Sequence, residues 1–288
     1  MQNAAGANCR TELRLMAVKT DLSGMVAGMV AAQDDCLLVE PWSAQEASLS
    51  LGVAYEVAER INQVRQAQGW RCCGRKIGFT NADMWPLYGV EEPIWGRLYE
   101  QRVEDLNPRT QAQSLTAFAQ PMLEPEIVLH FDASPSPDSN TEEILSCVDW
   151  IAHGFELVQS HFPDWKFAAS DTVVDNGLHG MLLLGPRLQR SDFGDRIVSD
   201  LEAFEIQIDV DGREVHRGRG ANVLGSPLLA IKHLLGLLDG SPKAPRLQAG
   251  EMVTTGTLTP VVPIAPGQTW RTTITGIELE GIELTLTA

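Results

Sequence analysis

The chain has 288 residues, a hydrophobic fraction of 44% and a formal net charge of −16. That length allows one large domain or two, with ample core. The acidity argues against nucleic-acid or anionic-membrane partners, so an anionic substrate would need local help from a cation or from Lys and Arg.

Taken in order, residues 1–15 read as a disordered leader, 16–70 as a helical region and 71–288 as a β-rich domain. Asp21 or Ser23 caps a helix to about Ala32. Its apolar run leads into Gln33-Asp34-Asp35 without a cleavage site, so a helix is favoured over a signal core. Ser43-Ala-Gln-Glu46 has the form of a capping box, and Ala54, Val57, Ala58, Ile61 and Val64 then recur at helical spacing up to Gly69. Residues 72–79 give a strand carrying Arg75 and Lys76. Residues 81–99, with Trp85, Pro86, Gly89, Pro93, Trp95 and Gly96, read as an ordered loop with a helical turn. A strand opens at Glu124 and runs through Ile127, Val128, Leu129 and Phe131. Asn140-Thr-Glu-Glu143 is a second capping-box start, with Ile144, Val148 and Ile151 as a helical stripe ending near Gly154. Residues 155–158 form a brief strand centred on Glu156, and 180–184 a buried strand. Residues 205–216 form a hairpin with a type I′ turn at Asp211-Gly212. Ser226-Pro227 caps a helix to about Leu238, and strands at 270–274 and 282–287 close the chain. Strands outnumber helices after residue 70 without regular alternation. That predicts a mixed, mostly antiparallel α+β architecture rather than a doubly wound sheet. The five cysteines, Cys9, Cys36, Cys72, Cys73 and Cys147, lack metal-knuckle spacing and suit a reducing cytoplasm, with Cys72-Cys73 as a buried pair.

Glu124-Pro125-Glu126 is the stretch around which the chemistry gathers. Residues two apart in a strand share a face, so the two carboxylates aim side by side. They repel unless a cation or a shared proton lies between them; the alternative is an edge strand with two solvated glutamates. Only oxygen donors are on offer in this stretch, which suits Mg²⁺ or Mn²⁺ better than zinc. Lys76 either snorkels or is held inward against carboxylates. Glu156, among Phe155, Leu157 and Val158, faces the same question, and burial would imply a partner or a metal. His179 is a core histidine or a ligand contact. Gly218-Arg-Gly-Ala-Asn-Val-Leu-Gly225 departs from the dinucleotide fingerprint at Val223. It reads as a Gly-rich turn that places backbone N–H groups near a ligand.

Gly74-Arg-Lys-Ile-Gly-Phe-Thr80, Gly89-Val-Glu-Glu-Pro93, Glu124-Pro-Glu126, Phe155-Glu-Leu-Val158, Asp164-Trp-Lys166, Asp171-Thr-Val-Val-Asp-Asn176, Gly218-Arg-Gly220, Leu224-Gly-Ser-Pro227 and Thr255-Gly-Thr-Leu-Thr259 occur in this order. Together they resemble the 2-oxopent-4-enoate hydratase and 4-oxalocrotonate decarboxylase group of the fumarylacetoacetate hydrolase superfamily, over nearly the whole chain from about residue 40. The resemblance implies a rolled, mixed β-sheet like the fumarylacetoacetate hydrolase C-terminal domain, with an N-terminal helical region. It implies Mg²⁺ or Mn²⁺ held by Glu124, Glu126 and Glu156. It gives Lys76 a role in proton transfer or carboxylate binding and points to Asp175 as catalytic. It places Asn176, with His179, among the substrate-binding residues. The hydroxyls and amides of Thr255, Gly256, Thr257, Leu258 and Thr259 would hold the substrate carboxylate. Lys166, a further catalytic candidate, looks more like the decarboxylase branch. Gly177-Leu-His179-Gly180 and Ile94 depart from residues frequent in the family, and Trp85 and Trp95 add bulk; these changes bear on the substrate rather than the metal. The implied activity is hydration of a 2-hydroxy-2,4-dienoate to a 4-hydroxy-2-oxo acid in aromatic catabolism. Decarboxylation of a 2-oxo-3-enedioate, acylpyruvate C–C hydrolysis and a non-catalytic partner subunit are the rivals. A homo-oligomer, alone or associated with a sister decarboxylase or hydratase, is also implied.

Overall fold

Capping and periodicity account for the N-terminal helices, with one shifted boundary. The computed structural model describes residues 15–16, 21–45, 49–82, 85–88, 90–106, 110–241 and 244–288; Cys9, Glu46, Gly89 and nearly all of the expected leader lie outside them. The helices are α1 (Leu22–Asp35), α2 (Trp42–Gln45), α3 (Leu51–Ala67), α4 (Trp85–Tyr88), α5 (Thr141–Ser146), α6 (Ala169–Val174), α7 (Ile197–Ala203) and α8 (Pro227–Asp239). Asp21 caps α1, its side chain accepting from Gly24 N–H. The expected start at Ser43 is corrected: α3 begins after Ser50, whose hydroxyl accepts from Val53 N–H. Ser43 is engaged elsewhere, because its backbone N–H and hydroxyl both donate to the Asp171 carboxylate.

The strands are β1 (Leu15–Met16), β2 (Leu38–Val39), β3 (Cys72–Gly78), β4 (Ile94–Tyr99), β5 (Val103–Asp105), β6 (Thr110–Ser114), β7 (Met122–Phe131), β8 (Val148–Val158), β9 (His179–Gln189), β10 (Glu205–Val210), β11 (Arg213–Arg219), β12 (Met252–Thr257), β13 (Val262–Pro263), β14 (Thr269–Thr275) and β15 (Glu283–Thr287). The larger sheet runs β4-β3-β12-β7-β8-β9-β5, with β13 also on β7; the smaller runs β11-β10-β14-β15-β6. Both are mixed and mostly antiparallel. Asp211 and Gly212, at φ 51° and 75°, make the expected hairpin turn between β10 and β11.

Three stretches differ from the sequence reading. The stripe Ile144, Val148, Ile151 is not one helix: α5 ends at Ser146 and β8 begins at Val148. A central strand buried on both faces reads as a continuous apolar run, which periodicity cannot separate from a helix. The expected loop at 81–99 keeps its helical turn as α4 but ends in β4, which pairs antiparallel with β3. The Cys72-Cys73 pair is half-buried rather than buried.

Strand direction explains where the site sits. β7 pairs antiparallel with β8 and with β12, and β12 pairs parallel with β3. So the C-terminal ends of β3, β8 and β12 gather with the N-terminal end of β7 at one margin of the sheet. Side-chain alternation then sorts the two faces. Leu123, Ile127 and Leu129 of β7 and Ile151, Phe155 and Leu157 of β8 pack under α8 and the smaller sheet. Val128, Trp150 and Ala152 face the other way, with Leu98, Leu182 and Leu184. Glu124, Glu126 and Glu156 share the parity of this second set.

Candidate metal centre and cleft

The register turns sequence spacing into a cluster. Glu124 lies opposite Glu156 across β7 and β8, and Glu126 lies opposite Thr257 of β12. One carboxylate oxygen from each of Glu124, Glu126 and Glu156 falls within 4.8 Å of the others. β7 is an inner strand, so the solvated-edge alternative is ruled out. Glu126 and Glu156 are fully buried, while Glu124 opens on the cleft. Lys76 does not snorkel: it is 4% exposed, with Nζ 3.2 Å from Glu156 Oε1. The same oxygen lies 2.9 Å from His179 Nδ1. Thr254, which the sequence reading did not single out, places its hydroxyl 3.5 Å from Glu156 Oε2.

Gly256 holds the second ligand. Its N–H donates to Glu126 Oε2 at 2.7 Å. At φ +95°, and with a built Cβ only 1.9 Å from Thr80 Oγ1, only glycine fits there. The other oxygen, Glu126 Oε1, is buried and has no hydrogen-bond donor. An orphaned buried carboxylate oxygen is rare and calls for an ion or a proton.

If all three carboxyls ionised, three carboxylates against one ammonium would leave this pocket two charges negative, and burial works against that charge. Burial pushes the Glu124 carboxyl up to about 7, against the pull of Lys76 and aided by Glu156. Burial, then Glu156, raises Glu126 well above the usual range, although Lys76 opposes it. Burial also works to raise Glu156, but Lys76 and His179 overcome it and hold this carboxyl at about 2. Burial would depress Lys76; the Glu156, Glu124 and Glu126 carboxylates outweigh it and raise its pKa. Beneath β7, His153 Nδ1–H donates to the Glu126 carbonyl at 3.0 Å, and Nε2 meets the Thr272 hydroxyl at 2.9 Å. Burial drives its pKa down to about 4, so the ring is neutral. The all-oxygen set, its unbalanced charge and the orphaned Glu126 oxygen fit a hard divalent cation.

The cluster forms one end of a cavity of about 320 Å³, within the range of small-molecule sites. Lys76, Glu124, Gly256 and Thr257 line one part of it. Phe79, Ile94, Val158, Trp165, Phe167, Leu178, Leu258 and Val261 make the rest predominantly apolar.

Comparison with known proteins places this architecture. The fumarylacetoacetate (FAA) hydrolase C-terminal family matches residues 102–281. The chain belongs to that family. The 2-hydroxyhexa-2,4-dienoate hydratase of Comamonas testosteroni is 30% identical over 235 residues, covering 81% of this chain and 85% of that protein. The 2-keto-4-pentenoate hydratase of Paraburkholderia xenovorans strain LB400 is 32% identical over 229 residues, 78% of this chain and 80% of that one. Among solved structures, 4-oxalocrotonate decarboxylase from Pseudomonas putida G7, complexed with magnesium and adipate, has a TM-score of 0.83 at 22% identity. It covers 92% of this chain and 97% of that one. At that identity the likeness speaks for the fold.

Within the fumarylacetoacetate hydrolase fold, the residues singled out from sequence separate into those at the cluster and those that support it from a distance. Glu124, Glu126, Glu156, Lys76 and Gly256 converge. His179 meets the cluster from behind, on Glu156, and faces a small cavity away from the cleft. Asp175 does not line the cleft: it is buried, accepting from His161 N–H and Nδ1–H and from Gln33 Nε2. Asn176 clips β4, its Oδ1 accepting from Arg97 N–H and its Nδ2 donating to Arg97 O. Thr257, Leu258 and Thr259 line the cleft, yet the Thr257 and Thr259 hydroxyls donate to the carbonyls of Thr259 and Pro260. Thr255 donates to Ile127 O inside the sheet. Lys166 stands apart: its side chain is 80% exposed and reaches only Asp164, while its neighbours Trp165 and Phe167 line the cleft. The glycines of 218–225 serve close packing: built Cβ atoms at Gly218 and Gly220 fall 2.0 Å from Leu258 O and 1.9 Å from Leu201 O. From this stretch only Asn222 reaches the cleft.

Proposed function

We propose that the protein is a divalent-metal-dependent lyase that hydrates a 2-hydroxy-2,4-dienoate to a 4-hydroxy-2-oxo acid, with Mg²⁺ or Mn²⁺ as its cation. The observation that carries this reading is the three-glutamate cluster with its orphaned Glu126 oxygen, set beside Lys76 at the head of an apolar cleft. Hydratases 30% and 32% identical over most of the chain support the reaction class.

Held by Glu124, Glu126 and Glu156, such a cation supplies Lewis-acid stabilisation of negative charge on the C1–C2 end of the substrate. The chain's own residues do the rest. Gly256 N–H and His179 fix the orientation of Glu126 and Glu156. Lys76 Nζ holds a proton at the cleft wall, where it pairs with the substrate carboxylate or moves a proton to and from the dienol carbons. The apolar walls align the conjugated chain, and water adds to its alkene to give the 4-hydroxy-2-oxo acid.

Decarboxylation of an enedioate fits less well. Its second carboxylate needs a second cation, and among the described residues lining the cleft Lys76 is the sole Lys or Arg. Lys166, the residue that suggested that branch, is on the surface. The test is hydration of 2-hydroxypenta-2,4-dienoate and longer homologues, followed by loss of diene absorbance with Mg²⁺, with Mn²⁺ and with EDTA. Metal-dependent formation of the 4-hydroxy-2-oxo acid is the expected result; no turnover across the series, or CO₂ release from a 2-oxo-3-enedioate offered in parallel by a protein that hydrates no dienoate, overturns it. Light scattering on the active fraction reads whether it is the homo-oligomer that the resemblance implies.

A further inference from the structure

We infer that the preferred substrate carries a bulky, uncharged apolar group, the size of a phenyl ring, at the end remote from its carboxylate. This rests on the hydratase reading and adds the class of substituent to it.

Strand geometry sets the distances. Val158 follows Glu156 by two residues along β8 and lies opposite Met122, two residues before Glu124 on β7. At ~3.3 Å per residue this pair lies roughly 7 Å beyond the Glu124–Glu156 level. A five-carbon dienoate spans only ~5 Å from C1 to C5, with bonds of about 1.3–1.5 Å. Anchored at the glutamates, it ends short of that level. Past it stands an aromatic wall of Trp165, whose indole N–H meets the Gln120 carbonyl two residues before Met122, and Phe167, the two rings 6.1 Å apart, while Phe79 lines the cleft nearer the glutamates.

The wall is held in a demanding conformation. Asp164 and Trp165 have φ of 55° and 57°, and Phe79 has φ of 56°, left-handed positions that bulky residues adopt only where the surroundings impose them. Gln120 imposes the first two. Its Oε1 accepts from Asp164 N–H at 2.9 Å, and its carbonyl accepts from Trp165 Nε1–H at 3.0 Å. Its Nε2 donates to the carbonyls of Ser160 and Phe162. Trp85 Nε1–H donates to the Phe79 carbonyl at 2.7 Å. These contacts aim aromatic rings at a place that a pentadienoate leaves empty. Among the described lining residues no Lys or Arg lies at this end, so the group it receives is neutral.

The test uses binding rather than turnover. Calorimetry on the Mg²⁺-loaded full chain compares 2-oxopentanoate with 2-oxo-6-phenylhexanoate, saturated acids that cannot be hydrated. At least tenfold tighter binding of the phenyl acid is expected in the wild type. Trp165→Ala and Phe167→Leu should each cut that ratio at least threefold, whereas a merely structural role would weaken both acids alike. Equal or weaker binding of the phenyl acid by the wild type overturns the inference, with no variant needed. So does an unchanged ratio in both variants. A protein that shows the ratio but hydrates no dienoate sinks the hydratase reading alone; one that hydrates pentadienoate and shows no ratio sinks the inference alone.

Discussion

Two buried acidic clusters lie within the same fold and are built in opposite ways. Around Asp171 and Asp175 nearly every oxygen has a donor: Ser43 and Ala168 serve Asp171, while His161 and Gln33 serve Asp175. Around Glu126 one oxygen has a donor and the other has none, and its neighbours are two further carboxylates with a single ammonium. Burying a carboxylate is tolerable when hydrogen bonds replace its water, and costly when they do not. The first arrangement is what a chain needs to hold α2, α6 and the end of β8 together. The second is costly by itself and is relieved by a proton or, as the proposed function requires, by a cation. Burial alone therefore does not mark a functional acid; unanswered burial does.

The sharpest way to break this contrast is Glu126→Gln. Mg²⁺ affinity by calorimetry should fall at least 100-fold, and dienoate hydration at least 1,000-fold, because a charged ligand is gone. At the same time the metal-free protein should melt higher than wild type at pH 7.5, since the cost of burying Glu126, ionised or protonated, is removed. A lower melting temperature in the metal-free variant would show that Glu126 is satisfied without metal.

A titration sharpens the same point. Glu124 sits at about 7 and Glu126 higher still when no metal is bound, above the ordinary carboxylate value. Protons therefore compete with the cation, and below about 7, where both carboxyls hold a proton, Mg²⁺ affinity should fall by up to about a hundredfold per pH unit, a factor of ten for each proton displaced. Metal-free stability carries the same sign. A raised folded pKa means that stability is fully present below the unfolded value near 4.5 and is lost as pH rises through 7. His153, depressed to about 4, works the other way, its stability being lost as pH falls from about 6.5 through 4. Melting curves without metal should peak between these limits, and saturating Mg²⁺ should move the peak to higher pH. A metal-free curve still rising at pH 8 would contradict the charge balance drawn here.

Asp175→Asn tests the satisfied cluster. Loss of charge-assisted hydrogen bonds in a buried place should cost about 2–4 kcal/mol, read as a lower urea midpoint. Mg²⁺ affinity should stay within about threefold of wild type. Loss of metal binding in a variant that is still folded would join the two clusters into one site.

How much of this was legible in sequence follows from the range of the interactions. The E-x-E spacing on a strand and the hairpin turn at Asp211-Gly212 are local, and each landed where the sequence placed it, whereas Lys76, left open between snorkelling and an inward position, depends on Glu156, 80 residues away. The helix expected through Ile144 and Ile151 failed because β8 is covered on both faces, which erases the alternation that marks a strand. The hydroxyls of 255–259 read as substrate donors because sequence cannot show that the nearby carbonyls of Ile127, Thr259 and Pro260 already accept from them. Thr254 and Gln120 were missed for the same reason: their partners lie 98 and about 40 residues away.

The smallest effect should come from Lys166→Ala, and its smallness is informative. In sequence, Asp164-Trp-Lys166 pointed towards the decarboxylase branch, where a cation would meet a second carboxylate. In the fold the same tripeptide turns through two left-handed residues, which sends Trp165 to the cleft and Lys166 outward, 80% exposed. Exposed ion pairs contribute little. Hydration kinetics of the variant should therefore stay within about twofold of wild type on any dienoate. A larger loss confined to a dicarboxylate substrate would mean that Lys166 swings inward on binding, and the decarboxylase alternative would then regain the residue that first suggested it.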